Sequence, residues 1–121
     1  MMTWLLVACG GAIGATLRYA LGLLFKPNSV FPWSTWWVNV FGCLLAGAFF
    51  ALSQKYPSLQ HEVRLLFMVG ILGGFTTFSS FGLETFQLLK QGQIFMALAY
   101  VISSLVVGIL LLALAVYLIP R

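Results

Sequence analysis

Residues 73–84 (GGFTTFSSFGLE) place chemistry-bearing side chains inside an otherwise apolar segment. A glycine pair is followed by four hydroxyl groups, three phenylalanines and one carboxylate, Glu84. Hydrocarbon offers these groups no partners, and an unpaired polar group there costs several kcal/mol, to order of magnitude. We therefore predict that this stretch faces protein or a water-filled path and marks the functional site.

The composition indicates an integral membrane protein. Of 121 residues, 62% are hydrophobic and 7% are charged, and the mean hydropathy is +1.07. A soluble domain of this length could not bury so much apolar surface. The net charge of +4 comes from basic residues scattered singly, so we expect no nucleic-acid partner.

Four apolar segments are long enough to cross a bilayer, which takes about 20 residues. They span residues 4–25, 36–53, 63–89 and 94–119, with short connections that leave no room for a second domain. We predict a single all-α membrane domain over residues 1–121, with Ser34 as a helix cap. Glycine pairs at helix-packing spacing predict close helix contacts; they are Gly10 with Gly14 and Gly70 with Gly74.

The basic residues show no bias between the two sides of the membrane. Three fall on each side, with Lys55, Arg64 and Arg121 opposite Lys26, Lys90 and Arg18. The positive-inside rule then favours neither orientation. We predict a dual-topology, antiparallel homodimer, because two opposed copies reproduce the inverted repeat of many transport proteins.

The third span is predicted to break near its middle. A continuous helix would align Thr77, Ser80, Phe81 and Glu84 on one face, but paired glycines and threonines are poor helix formers. A break frees carbonyl groups. These could bind a small cation such as sodium, at Gly73 and Thr76, or the threonine hydroxyls could repair a simple kink. The residues alone leave both alternatives open.

The polar groups within the spans suit an anion better than a cation. Glu84 is the only carboxylate in a span, and Arg18 is the only cation deep within one. The rest are mostly neutral donors: Asn39, Thr76, Thr77, Ser79, Ser80, Tyr100, Ser103 and Ser104. Hydroxyl and amide donors, with the positive edges of phenyl rings, suit a small anion. Each also has a structural alternative, such as an interhelical or intrahelical hydrogen bond.

Other chemistry-bearing residues give weaker signals. Cys9 and Cys43 are expected to be small packing residues, and Trp33, Trp36 and Trp37 to be anchors at the membrane surface. His61 and Glu62 adjoin without the spacing of a metalloprotease motif. We therefore expect no enzyme.

The chain resembles the CrcB, or Fluc, family of fluoride channels. The resemblance rests on residues 10–19 (GGAIGATLRY), Thr35 with Asn39, and residues 70–84, above all GGFTTFS at 73–79. It covers essentially the whole chain. The family often differs from this chain at four positions, which are Ser34, Ser80, Gly82 and Gly108; at the last of these it often carries a serine.

The resemblance implies an antiparallel homodimer with two fluoride pathways and a structural sodium ion on the carbonyls of Gly73 and Thr76. It assigns the ring edges that face fluoride to Phe78 and Phe81, and a vestibule role to Arg18. Asn39 would orient these rings and donate to the ion. The remaining residues assigned to the pathway are Thr77, Ser80, Tyr100 and Ser104.

The function implied is passive, selective export of fluoride across a prokaryotic cell (inner) membrane. The alternative is a small dual-topology, proton-coupled drug or cation exporter. Such an exporter needs a carboxylate in its first span, and residues 4–25 contain none. A noncatalytic assembly subunit would explain the glycines but would leave the Thr-Thr-Phe-Ser cluster without a role.

Overall fold

The computed structural model describes residues 1–26 and 29–120, so the charge assigned to Arg121 and the turn at Pro27 lie outside it. Four helices in this part of the chain are long and apolar enough to cross a membrane. They are α1 (Met2–Gly22), α2 (Trp33–Lys55), α3 (Gln60–Lys90) and α4 (Ile94–Leu118). The four predicted membrane helices are thus confirmed, while the limits of the segments inside the bilayer stay predictions.

The predicted break in α3 is confirmed, and it lies at Thr76 and Thr77. The first half of α3 is π-helical over Val63–Leu72 and ends with a short α-helical segment, Gly73–Phe75. Thr76 and Thr77 then adopt extended backbone, with ψ of 156° and 124°. The second half, Phe78–Lys90, is a regular α-helix. The glycine pair therefore remains helical, and the threonines form the break.

The first half of α3 packs against α1 along a seam of glycines. A Cβ on Gly10 would lie 2.8 Å from the Cα of Gly70, and one on Gly74 would lie 2.5 Å from the carbonyl oxygen of Gly11. A Cβ on Gly14 would run into the carbonyl of Ile71. These glycines let two backbones touch, which is how helices pack closely in lipid. We call these contacts the glycine seam.

α2 packs against α4, and its start differs from the prediction. α2 begins at Trp33 directly after Pro32 and has no side-chain cap. The proposed cap at Ser34 is therefore wrong, because this residue already lies inside the first turn. Further along, a Cβ on Gly47 would run into the carbonyl of Leu112.

A small core joins the second half of α3 to α4. Leu88, Ala97 and Tyr100 are buried there, with Phe31 and Phe81 packed against them. Large apolar side chains elsewhere remain exposed along all four helices. A surface of this kind is stable in lipid rather than water, so the chain is a multi-pass membrane protein.

Candidate functional site

The amide of Asn39 on α2 holds the break in α3. The backbone N–H of Thr77 donates to Oδ1 of Asn39 at 2.9 Å, and Nδ2 of Asn39 donates to the Thr77 carbonyl at 3.0 Å. The amide thus replaces the helical hydrogen bonds that extended backbone gives up. The amide carries two N–H groups, and the second has no acceptor among the described residues.

The hydroxyls of both threonines of the break also form hydrogen bonds with backbone groups beside it. The N–H and Oγ1 of Thr76 both donate to the Leu72 carbonyl, at 2.9 Å and 2.8 Å. Oγ1 of Thr77 accepts from the N–H of Ser80 at 3.2 Å and so caps the second half of α3. These bonds are the ones expected of a kink repaired by hydroxyls.

Two carbonyl oxygens at the break remain available to a cation. Apart from hydrogen bonds within the helices, no donor among the described residues contacts the carbonyl oxygen of Gly73 or of Thr76. The same part of the chain holds no cluster of three His, Cys, Asp or Glu side chains that could bind a metal. The residues present therefore fit a hard cation only through backbone oxygens, which include those of Gly73 and Thr76.

A cavity of about 440 Å³ opens beside the break, between α2, α3 and α4. We call it the break cavity. It brings together seven of the predicted site residues: Asn39, Gly73, Thr76, Thr77, Phe78, Phe81 and Ser104. None of the described residues that line it is acidic or basic, so its polar surface consists of amide, hydroxyl, thiol and carbonyl groups.

The two phenylalanines of the cavity differ in their surroundings. Their ring centroids are 6.2 Å apart, with planes tilted by 39°. Phe81 is half-buried and packs on the ring of Tyr100 at 5.0 Å. The side chain of Phe78 is 84% exposed. One ring is therefore fixed by its own chain, and the other presents its surface outward.

Tyr100 and Glu84 form a pair outside the break cavity. Tyr100 is fully buried, and its hydroxyl donates to Oε1 of Glu84 at 3.1 Å. The rings of Phe31 and Tyr100 meet edge to face, with their centroids 5.4 Å apart. Glu84 also lines a separate cavity of about 450 Å³ that contains Lys26. The carboxylate of Glu84 thus accepts a hydrogen bond from Tyr100 and does not line the break cavity.

The two serines of α4 have different partners. Oγ of Ser103 accepts from the indole N–H of Trp36 at 2.8 Å and donates to the Tyr100 carbonyl at 3.4 Å. Oγ of Ser104 is fully buried, and no hydrogen-bond partner for it exists within residues 1–26 and 29–120. Of the two serines, only Ser104 lines the break cavity, and its hydroxyl is covered.

Arg18 and Ser80 lie on the other side of the break. Nε of Arg18 donates to the carbonyl of Gly74 at 3.1 Å. With Ser80 and Thr77, Arg18 lines a cavity of about 500 Å³ that also contains the buried Thr35. Thr77 lines both this cavity and the break cavity, whereas Arg18 and Ser80 do not line the break cavity. The vestibule role of Arg18 stays a prediction.

Two side chains make contacts that the sequence does not predict. The sequence predicts Trp36 to be an anchor at the membrane surface, and the structure adds that its indole N–H donates to Ser103. Cys43 packs against Gly108, as expected of a packing residue, and it also lines the break cavity. A signal for Cys43 existed in its position four residues after Asn39, which puts the two side chains on the same helix face.

The fold and site define a class of protein. A broken membrane helix that brings backbone carbonyls, hydroxyls and ring edges to a cavity is typical of α-helical membrane transport proteins. A family profile described as CrcB-like protein, Camphor Resistance (CrcB), matches residues 5–116. The chain belongs to the CrcB family.

Bacterial relatives cover nearly the whole chain. A protein of Methylobacillus flagellatus is 45% identical over 89% of this chain and 87% of its own length. One of Thermus thermophilus is 48% identical, covering 92% and 90%. One of Phocaeicola vulgatus is 41% identical, covering 91% and 92%. Each of the three is named "Fluoride-specific ion channel FluC".

Proposed function

We propose that this protein is a fluoride-selective ion channel that exports fluoride passively. The observation that carries the proposal is the break cavity, where Asn39 and Ser104 come together with two phenyl rings. One N–H of the Asn39 amide has no acceptor among the described residues. No described residue that lines this cavity carries a carboxylate. The names of the relatives support the same function.

Neutral donors suit fluoride because of its hydration. A bare anion in hydrocarbon is prohibitively costly, so each water molecule it loses must be replaced by an O–H or N–H donor. Asn39 and Ser104 supply such donors, and the positive edges of the Phe78 and Phe81 rings add a weaker attraction. The positive charge of Arg18 would raise the local anion concentration near the break.

A second copy of the chain would complete the site, and we propose an antiparallel homodimer. Phe78 is 84% exposed in one chain, so a partner surface would cover it. Two copies would also bring four carbonyl oxygens, from Gly73 and Thr76 of each chain, to one structural sodium ion. If termini carrying tags all report on one side of the membrane, the antiparallel arrangement is wrong.

Passive export follows from acid–base chemistry. Fluoride enters cells as neutral hydrogen fluoride, dissociates in the less acidic cytoplasm, and would leave through the channel down its electrochemical gradient. We place the protein in a prokaryotic cell (inner) membrane, since the relatives described above are bacterial. The comparisons give no support to a proton-coupled drug exporter, and α1 has no carboxylate for one.

Proton coupling separates the two functions experimentally. Liposomes that contain the purified protein are loaded with fluoride, and efflux is followed with a fluoride electrode, with and without an imposed proton gradient. A channel needs only a potassium shunt for charge balance, and its efflux follows the membrane potential. Efflux that stops when the proton gradient is collapsed would favour an exchanger.

A further inference from the structure

An apolar groove of about 500 Å³ lies between α1, α2 and the first half of α3. It exists because α1 packs on α3 and α2 packs on α4, so that α1 and α2 make few contacts with each other. Among the described residues that line it, the indole N–H of Trp37 is the only polar side-chain group. Trp37 and Phe41 on its wall are nearly half exposed. We call this space the α1–α2 groove.

The α1–α2 groove lies on the opposite face of α2 from the break cavity. Phe41 lines the groove, whereas Asn39 lines the break cavity. Because successive residues turn by about 100° around a helix axis, positions 39 and 41 point about 160° apart. Among the described residues, the two spaces share only Leu72. A second copy that covers the exposed Phe78 would therefore leave the groove to another occupant.

The α1–α2 groove has the depth of one leaflet of a bilayer. Along α2 its wall extends from Trp37 to Leu45, a rise of about 12 Å. Half of the hydrocarbon core is about 15 Å thick. The wall begins one turn after the start of α2 at Trp33, so the groove leads from a membrane surface towards the middle of the bilayer. An acyl chain matches this length and this apolar surface.

A polar cavity of about 450 Å³ adjoins the groove at Phe25, which lines both spaces. Lys26, the next residue, lines the polar cavity. Its carboxylate, that of Glu84, accepts a hydrogen bond from the Tyr100 hydroxyl. The cavity also offers hydroxyl and amide side chains, which are those of Ser29, Ser34, Gln87 and Gln91. An apolar groove thus ends beside a cluster of hydrogen-bond donors.

The charge at this membrane surface favours an anionic group. Three basic residues fall on this side, Lys26, Lys90 and Arg18, and Glu84 is the acidic residue on the same side. The sum is a surplus of two positive charges. Basic pockets between membrane helices attract the phosphate groups of anionic lipids. A zwitterionic headgroup gains much less from such a surface.

We propose that the α1–α2 groove and the adjoining polar cavity bind one anionic glycerophospholipid of the surrounding bilayer. An acyl chain lies in the groove, and the phosphate lies beside the ammonium group of Lys26. The bound lipid joins α1 to α2, which have few contacts of their own. This inference goes beyond the proposed channel function and does not depend on it. The competing interpretation is that the groove takes any bilayer lipid, without selection of the headgroup.

Native mass spectrometry of the purified protein measures the lipid that each chain retains in detergent. The protein is titrated with dioleoyl phosphatidylglycerol or with dioleoyl phosphatidylcholine, which have the same acyl chains and differ in charge. We expect phosphatidylglycerol to bind about fivefold more tightly, the order expected of one lysine near a phosphate. Equal affinity for the two lipids, or retention of neither, would overturn the inference.

Replacing Lys26 tests the headgroup site. Lys26→Gln should lower the affinity for phosphatidylglycerol about fivefold, to that for phosphatidylcholine. Lys90→Gln is the matched control, because it makes the same change of charge on the same side of the membrane and does not line the polar cavity. We expect it to leave the affinity unchanged. Equal losses in both variants would show a general effect of surface charge and no site at Lys26.

Filling the groove tests the acyl-chain site. Ala20 is exposed and lines the groove, so Ala20→Phe should prevent retention of both lipids. Ala8→Phe is the control, because Ala8 is exposed on the same helix and lies outside the groove. Undiminished lipid binding in folded Ala20→Phe would contradict the inference. If Ala20→Phe fails to fold, Lys26→Gln still gives the result, since Lys26 lies outside the helices.

Two further outcomes keep this inference separate from the others. If Ala20→Phe converts a dimer into a folded monomer on size-exclusion chromatography, the groove belongs to a second copy, and the lipid site is wrong. Lipid binding is measured without fluoride. Absence of fluoride efflux from the wild type would therefore contradict the proposed function and leave the lipid site standing.

Discussion

One side of the first half of α3 lies against α1 with the two backbones in contact, whereas both halves of α3 face α2 and α4 across a cavity of about 440 Å³. The glycine seam has no room for an added methyl group. The break cavity has room, and amide, hydroxyl and thiol side chains line it. One side of α3 is thus tightly packed against α1, and the other side carries the groups that can contact an ion.

The break connects the two regions. Arg18 of α1 binds the carbonyl of Gly74 at the end of the seam, and Asn39 of α2 binds Thr77 two residues after the helix stops. Changes to the seam should therefore affect folding, and changes to the cavity should affect conduction. The four predictions below test this division, starting with the largest effect.

Replacing Gly14 should disrupt the seam. In Gly14→Ala the new methyl group would run into the Ile71 carbonyl, and backbone cannot yield as a flexible side chain does. We expect a loss of about 1–3 kcal/mol or more, seen as a lower yield of monodisperse protein and a lower Tm in detergent. Gly11→Ala is the matched control on the same helix, because nothing lies within 4 Å of its added methyl group.

Replacing either phenylalanine of the cavity should abolish conduction and leave folding intact. Phe78→Ile and Phe81→Ile keep an apolar side chain but remove the ring edge that we propose attracts fluoride. We expect fluoride efflux to fall to the background of empty liposomes, with an unchanged oligomeric state by size-exclusion chromatography. Wild-type efflux in either variant would contradict the pathway assignment.

Removing the amide of Asn39 should affect both regions. Asn39→Ala leaves the N–H and carbonyl of Thr77 without their partners, which costs about 1–3 kcal/mol and loosens the break. We expect a lower Tm together with slower fluoride efflux.

Thr16→Ala is the control for Asn39→Ala, since the Thr16 hydroxyl is exposed and bonds only back to Ala12 on its own helix. We expect its effect on unfolding to stay within about 0.5 kcal/mol. If Asn39→Ala behaved like this control in both measurements, the amide would not be holding the break.

Replacing either of the two adjacent serines of α4 should give the smallest effects. One replacement should affect stability and the other should affect efflux. Ser103→Ala removes the acceptor of the Trp36 indole, so we expect a stability loss of about 1 kcal/mol with little change in efflux. Ser104→Ala removes a hydroxyl that has no partner in the described part of the chain, so we expect slower efflux with unchanged Tm. The reverse pattern would show that the roles of the two serines are exchanged.

The sequence predicts much of this fold and less of its site. Apolar run lengths give the four helices, and the glycine pairs give the seam, because both depend on local spacing. The exact position of the break, the partners of Ser103 and Ser104, and the division into two cavities depend on how each helix is rotated about its axis. A helix that is apolar all round carries little signal for that rotation.

Some predictions concern what lies beyond a single chain. The antiparallel dimer, the sodium ion on Gly73 and Thr76, and the path of fluoride past Phe78 all involve a second copy or an ion. The charge pattern and the family resemblance motivate them, and they stay predictions for the experiments proposed above.

The most direct test of the account is anion efflux from liposomes that contain the purified wild-type protein, with fluoride and chloride measured side by side. We predict rapid loss of fluoride, without loss of chloride, once a potassium ionophore balances the charge. Intact, monodisperse protein that releases neither ion, or releases both at similar rates, would contradict the assignment of the break cavity as a fluoride-selective path.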